Sequence, residues 1–361
     1  MAPRMRRSLL ALLLLFAAFA NAAPRRRAVG SEAFPPCAIA NGPAVTFSRD
    51  GGVTVARRAQ ALRGIGYTYG VAVLDGGRTI LAAHNDVVSL SRDGGCSWEF
   101  VGNVAGPDLF PPSITAAPDG GAYIWSDNRQ ILARYSAAGL AALKAPAAIV
   151  GLATDSTRVR LAGDDGAIWT STDAGQSFER TGSAPPASLS FVYRGAFDPA
   201  NLDHVLVGTP VSGAFVTFDG GRNWQQAGGI GAGFNAFNLV VSPADGNVVW
   251  AMALRTADSS RHIFRSTDGG RTFAAVVDAG NGVTLVNGPV MAAHPTNRDV
   301  LYFVFGTFFQ DYGTDLFRFD AATGNLRLSH HEFDDVNAIA FSPLDPDLMY
   351  FGLEVVEPTG P

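Results

Sequence analysis

Lysine is almost missing from this chain: Lys144 stands alone among 27 basic residues, and the formal net charge is −5. The one basic cluster, Arg25-Arg26-Arg27, lies near the N-terminus, so the body lacks the Lys and Arg patches that nucleic acid and anionic membranes require. Cysteine is as scarce. Cys37 and Cys96 are the only two, too few for a Cys-rich metal site. They leave two alternatives, one disulfide or two free thiols, and their separation in sequence does not decide between them. No apolar run after the first ~20 residues approaches the ~20 needed to span a bilayer. Glutamate is limited to positions 32, 99, 179, 332, 354 and 357. A phosphate-binding loop, a dinucleotide glycine fingerprint and a Ser-His-Asp elbow are all lacking, and no cofactor or metal is expected.

What is present begins with an export signature. Arg4, Arg6 and Arg7 precede an apolar stretch from Leu9 to Ala20, and Ala20-Asn21-Ala22 offers a small-residue cleavage site. Residues 1–22 therefore read as a bacterial secretory signal and 23–43 as an N-terminal tail, placing the protein in the periplasm or outside the cell. Cleavage removes three arginines and no acid, which makes the remaining chain more acidic still.

The rest is repetitive. Ser91-Arg92-Asp93-Gly94-Gly95-Cys96-Ser97-Trp98 returns as Ser171 to Phe178, Thr217 to Trp224 and Ser266 to Phe273, with weaker copies around Asp50 and Asp320. A second phrase, in which an apolar run breaks at Pro and small polar residues and then resumes, carries Pro199, Pro243, Pro295 and Pro343 at intervals of about 44 to 52 residues. Such intervals are those of propeller blades, each a four-stranded antiparallel sheet. The Pro phrase reads as the turn between strands A and B, and the Asp-Gly phrase as the turn between C and D. Blades 1 to 6 are expected to start near Tyr67, Leu109, Ala147, Ser188, Phe234 and Val283. About 80 residues separate Asp93 from Asp173, room for a blade 2 that has lost its Asp. After Asp335 the chain supplies only A and B strands (336–341 and 348–355), whereas 44–55 supplies an orphan C-turn-D unit. Joined, they make a seventh blade and close the ring without a free edge. The fold expected is an all-β, seven-bladed propeller over 44–361.

Asp at the head of a tight turn accepts backbone N–H bonds, Gly supplies positive φ, and the Trp or Phe at the end (Trp98, Phe178, Trp224, Phe273) is expected to wedge into the core. The pattern S-x-D-x-G-x-[ST]-[WF] resembles the Asp-box, or BNR repeat, of sialidases, sortilin-type receptors and photosystem II assembly-factor propellers. That resemblance implies a structural role for Asp93, Asp173, Asp219 and Asp268, with Asp50 and Asp320 as weaker members. For function it implies either a protein-binding scaffold or a glycosidase. A sialidase also needs an arginine cluster, a Tyr–Glu pair and a Phe/Tyr-Arg-Ile-Pro phrase, and this last is missing. The expectation is a noncatalytic, monomeric binding module for a protein or carbohydrate. An exo-acting glycoside hydrolase with channel carboxylates is the alternative.

Ligands are expected on the face of the B–C and D–A loops. The blade 6 loop 307–315 combines Phe308, Phe309 and Tyr312 with Asp311 and Asp315, aromatic faces beside acids that suit a sugar or a cationic group. With the blade 5 loop, which carries Arg255 and Asp258, it is expected to form the rim of a site. Inward packing of the two phenylalanines is the simpler alternative. Adjacent His330 and His331 on a strand point to opposite faces, so at most one can join Asp334 and Asp335.

Overall fold

The computed structural model describes residues 45–54, 68–74, 77–104, 111–127, 129–186, 191–281, 283, 290–306, 313–332 and 334–355. The chain opens with β1 (Val45–Ser48). Blade 1 follows as β2 (Thr68–Val73), β3 (Ile80–His84), β4 (Val87–Ser91) and β5 (Glu99–Asn103). Blade 2 is β6 (Pro112–Ala116), β7 (Ala122–Ser126), β8 (Leu132–Ser136) and β9 (Gly139–Leu143), and blade 3 is β10 (Ile149–Thr154), β11 (Val159–Gly163), β12 (Ile168–Ser171) and β13 (Glu179–Gly182). Blade 4 comprises β14 (Arg194–Asp198), β15 (Asn201–Thr209), β16 (Gly213–Thr217) and β17 (Gln225–Gln226); blade 5 comprises β18 (Phe234–Val241), β19 (Val249–Arg255), β20 (Arg261–Ser266) and β21 (Ala274–Val277). Blade 6 is β22 (Met291–Ala293), β23 (Val300–Gly306), β24 (Gly313–Asp320) and β25 (Asn325–Glu332), and the chain returns through β26 (Asp334–Phe341) and β27 (Met349–Val355).

Each of the six four-stranded sheets runs A-B-C-D in chain order. The seventh joins both ends of the chain in the order β1-β27-β26, with Phe47 opposite Tyr350. Gly51–Thr54 follow β1 as bends, and any D strand beyond them lies outside the described residues. The first strands of consecutive sheets touch around a closed cycle in which β26 meets β2. The molecule is a seven-bladed all-β propeller, and blade 2 keeps four strands without its Asp phrase.

Burial explains the sequence pattern. B strands such as β3, β7 and β11 are buried along their whole length, so they read as continuous apolar runs, whereas β13 and β17 on the outer rim are almost wholly exposed. The core is divided into slices between consecutive blades. Leu206, Val216, Leu239 and Phe264 pack between blades 4 and 5, and Trp250, Phe303, Phe317 and Phe319 between blades 5 and 6.

The Asp-Gly turns hold this stack together. In the turn after β16, Thr217 Oγ1 donates to Asp219 Oδ1 at 2.8 Å while accepting the Gly221 N–H. Asp219 Oδ1 also takes the N–H groups of Arg222 and Asn223, and its Oδ2 takes the Asn223 amide. Asp50, Asp93, Asp173 and Asp268 repeat this network with their own Ser and Ser/Thr partners. Asp320 does not: Arg318 stands two residues before it and faces its carboxylate at 3.8 Å, and the carboxylate takes the N–H groups of Ala322 and Thr323 in an ordinary turn. The second glycine of the phrase has positive φ and leans on the preceding blade, since a Cβ at Gly270 would stand 2.4 Å from Leu206 Cδ2.

The terminal aromatics differ from the expectation. Phe273 is buried, but Trp98, Phe178 and Trp224 are only half-buried, because the D strand they introduce is the outer, solvated one. Cys96 is disulfide-bonded, and the chain's other cysteine, Cys37, lies outside the described residues, as do 1–22 and 23–43.

Candidate functional site

The channel along the ring axis is walled by the seven A strands and encloses about 320 Å³. Their regular pairing is broken by bulges between Thr68 and Gly70, Ile149 and Gly151, Ala236 and Asn238, and Val336 and Ala338. A bulge inserts one residue without a partner and re-aims its side chain. Two inserted residues, Phe237 and Asn337, line the channel. Gly151 and Gly195 let the neighbouring strands β10 and β14 approach closely, for a Cβ on Gly151 would stand 2.1 Å from the Gly195 carbonyl oxygen.

Aromatic and charged groups converge where these strands begin, on the face of the B–C loops. Phe191 meets Tyr193 edge-on at 4.9 Å, and Tyr193 meets Phe237 at the same distance, a track from the surface into the channel. Phe191 is exposed and Tyr193 half-buried, and burial pushes the Tyr193 phenol up, so it stays protonated. The Arg261 guanidinium sits 5.1 Å from the Phe237 ring centre and that of Arg194 5.6 Å from Trp125, both cation–π distances. Arg194 also faces Asp127 at 3.8 Å. Asp127 is the one acidic residue among the described residues lining the channel. The lining therefore provides flat apolar faces, a guanidinium–carboxylate pair and two amides, Asn238 and Asn337, suited to holding a polar chain against aromatic walls. Among the described residues it holds one carboxylate, where glycoside hydrolysis uses a pair.

The rim residues read from the sequence are described only in part. Phe308, Phe309, Asp311 and Tyr312 lie outside the described residues. Asp315 is inside β24 rather than in the loop, opposite His330, whose Nδ1 is 2.8 Å from its carboxylate. His331 points the other way, its Nε2 2.8 Å from the Gly52 carbonyl oxygen, so the pair alternates as a strand requires. Arg255 ends β19 and pairs at 3.3 Å with Asp258, which also accepts the N–H and hydroxyl of Ser260. Both are exposed and form the tight B–C turn of blade 5, where Arg255 lies opposite Phe234 at the start of the innermost strand, 6.0 Å from its ring centre, though neither is among the residues that line the channel. Other loop acids are likewise occupied with turns: Asp165 takes the Ala167 N–H and Asp278 the Gly280 N–H. Among the described residues no three His, Cys, Asp or Glu side chains gather as a metal site.

Sequence reasoning passed over Tyr193, Arg194, Phe237 and Asn337 because it searched loops, and these lie on or beside A strands. The signal that could have found them is a bulky or polar residue interrupting the alternation of a predicted innermost strand.

The turn aspartates are held well below the ordinary carboxylate range. The Ser177 hydroxyl and N–H, with Ser171, bring Asp173 to about 2, and the Asn223 amide and N–H, with Thr217, do the same for Asp219. At Asp50 burial pulls upward, but donors from Thr54, Ser48 and Val53 outweigh it, leaving about 2.

With this geometry in hand, comparison with known proteins is informative. The dispase autolysis-inducing protein of Streptomyces mobaraensis is 41% identical over 339 residues, spanning 90% of this chain and 90% of that one. The chain belongs to the family of the dispase autolysis-inducing protein. No family model matches the sequence. Among solved structures, YCF48 from Cyanidioschyzon merolae superposes with a TM-score of 0.59 at 10% identity, over 86% of this chain and 98% of that one. YCF48 bound to D1 peptide gives 0.57 at 11%, covering 89% and 100%, and hydrazine synthase of Kuenenia stuttgartiensis 0.58 at 12%, covering 79% and 94%. These last likenesses concern the fold alone. Among the described residues no helix is long and apolar enough to cross a membrane.

Proposed function

We propose that this protein is an exported, noncatalytic propeller that binds a protease outside the cell and promotes the protease's self-cleavage. The observation that carries the reading is the identity with a relative whose name states that it induces autolysis of dispase, sustained across nine-tenths of both chains. The Asp127–Arg194 pair and the Phe191–Tyr193–Phe237 track supply the recognition surface, suited to an extended loop of the partner. YCF48, of similar fold, has been solved bound to a D1 peptide, which is in keeping with such a use of a propeller. Phe308, Phe309, Asp311, Tyr312 and Asp315 on blade 6, and Arg255 with Asp258 on blade 5, stand as an outer rim to this surface. The turns at Asp50, Asp93, Asp173, Asp219 and Asp268 are Asp-boxes with a structural role. Residues 1–22 act as the export signal, and the mature protein is a monomer. The hydrolase alternative draws no support from a channel lining with one carboxylate among the described residues.

Mixing the mature protein with active dispase tests this. Dispase should fragment faster in its presence, while dispase inactivated at its active site should stay intact. Cleavage of the inactivated enzyme would assign the chemistry to the propeller, and unchanged fragmentation of the active one would remove dispase as partner.

A further inference from the structure

Blades 2 and 3 meet differently from blades 5 and 6, and the difference creates a pocket. In blade 5, Arg265 on β20 lies opposite Trp250, stacks on it at 5.1 Å, and bonds Asp299 in the A–B turn of blade 6. In blade 2, Arg134 on β8 lies opposite Tyr123 in the same way, 5.7 Å from its ring centre. The next blade, however, offers no aspartate at the equivalent position, and the one in its A–B turn, Asp155, is taken up by Thr157 and Arg158. The residue before Val300 is Asp299, whereas the residue before Val159, which pairs at the equivalent place with the start of the C–D turn, is Arg158. Arg134 turns back to Asp119 of its own blade, and a cavity of about 190 Å³ opens between the two guanidiniums.

The donors around this cavity exceed the acceptors. Arg158 sends Nε to Asp155 at 3.2 Å and Nη1 to Asp203 at 3.4 Å, and its Nη2 makes no hydrogen bond. Arg134 uses Nη2 on Asp119, and its buried Nε has no partner. The Arg265 Nε is also unpartnered, but there Asp299 closes on the guanidinium. Ser156 and Thr172, both lining the cavity, keep unused hydroxyls. Two acids, Asp119 and Asp155, line the cavity as well, and both are already occupied: Asp155 takes four donors from Thr157 and Arg158, and Asp119 takes the Gly121 N–H besides Arg134.

We propose that the junction of blades 2 and 3 is an oxyanion site in which Arg134 and Arg158, with Ser156 and Thr172, hold a carboxylate, sulfate or phosphate group where blade 6 supplies its own Asp299. Planar guanidiniums suit such groups through paired N–H bonds. The oxyanion comes either from free anions or from an acidic side chain of a bound protein.

The test is calorimetric titration of the mature protein with sulfate and with phosphate against chloride at fixed ionic strength. Saturable 1:1 binding is expected, weakened at least about tenfold by Arg158→Gln and unchanged by Arg92→Gln, an exposed control on blade 1. Should Arg158→Gln lower Tm by more than a few degrees, Thr172→Val serves as the second variant, with a smaller loss expected. Absence of saturable binding to the unaltered protein, or equal weakening by the control, overturns the site. A second arm separates the sources. If the oxyanion belongs to a protein partner, sulfate and Arg158→Gln both slow dispase fragmentation; if it is a free anion, fragmentation is unaffected while titration still shows binding. This inference does not depend on dispase being the partner, since the titration stands without it.

Discussion

The two faces of the ring are built by different rules. On the face of the A–B and C–D turns, polar groups are satisfied within a few residues of sequence: Asp219, Thr217 and Asn223 complete one network in seven residues. Adjacent blades are then tied by ion pairs such as Arg265 with Asp299 and Arg298 with Asp245. On the opposite face, the groups at the channel mouth follow no repeated phrase and meet only between blades, Asp127 with Arg194 and Tyr193 with Phe237. The first face repeats because five of the seven blades use the same clamp; the second varies because nothing in the fold requires it to be the same.

Predictions follow from breaking one face or the other. The largest effect is expected beneath the turn face, where Leu206 is fully buried between blades 4 and 5 and supports Gly270. Leu206→Ala should cost about 2–5 kcal/mol in denaturant unfolding, from lost burial and the cavity left behind. Asp219→Ala, which orphans the N–H groups of Arg222 and Asn223, should cost about 1–2 kcal/mol by the same measurement, less than a buried loss because those groups reach solvent.

The clamps also make a prediction about acid. Asp50, Asp173 and Asp219 stand at about 2 when folded against an ordinary 3.8, so at pH 3 the unfolded chain binds more protons than the folded one. Their stabilisation is complete above about pH 4–5 and is lost as the pH falls towards 2. Tm measured across that range should fall steadily with acid, and the fall should be shallower in the Asp219→Ala variant. The smallest effect concerns Ala174, which holds φ of 59° where the other four turns use glycine. Ala174→Gly should raise stability by about 0.5–1 kcal/mol, because the left-handed conformation then carries no Cβ penalty.

This contrast also marks how far the sequence could be read. The blade count and the closure through Phe47 and Tyr350 were legible because the Pro and Asp-Gly phrases are local and repeat. Blade 2 was recoverable from spacing alone. The channel was not, since a bulge at Phe237 or Asn337 arises from how β18 and β26 bend against their neighbours, and no short motif encodes it. Loop acids such as Asp258 drew attention by composition, yet their carboxylates serve their own turns. The exchange of Asp299 for Arg158 between two junctions became visible only once strand register aligned the blades.

The division of labour proposed here, recognition by the loop face and support by the turn face, is separable by mutation. The most direct measurement compares Tyr193→Ala combined with Arg194→Ala against Asp219→Ala, reading both Tm and the rate of dispase fragmentation. The double variant should keep Tm within a few degrees and lose the acceleration, while Asp219→Ala should lower Tm and, below its new midpoint, retain the acceleration. Full acceleration by the double variant, with its fold intact, would contradict the claim.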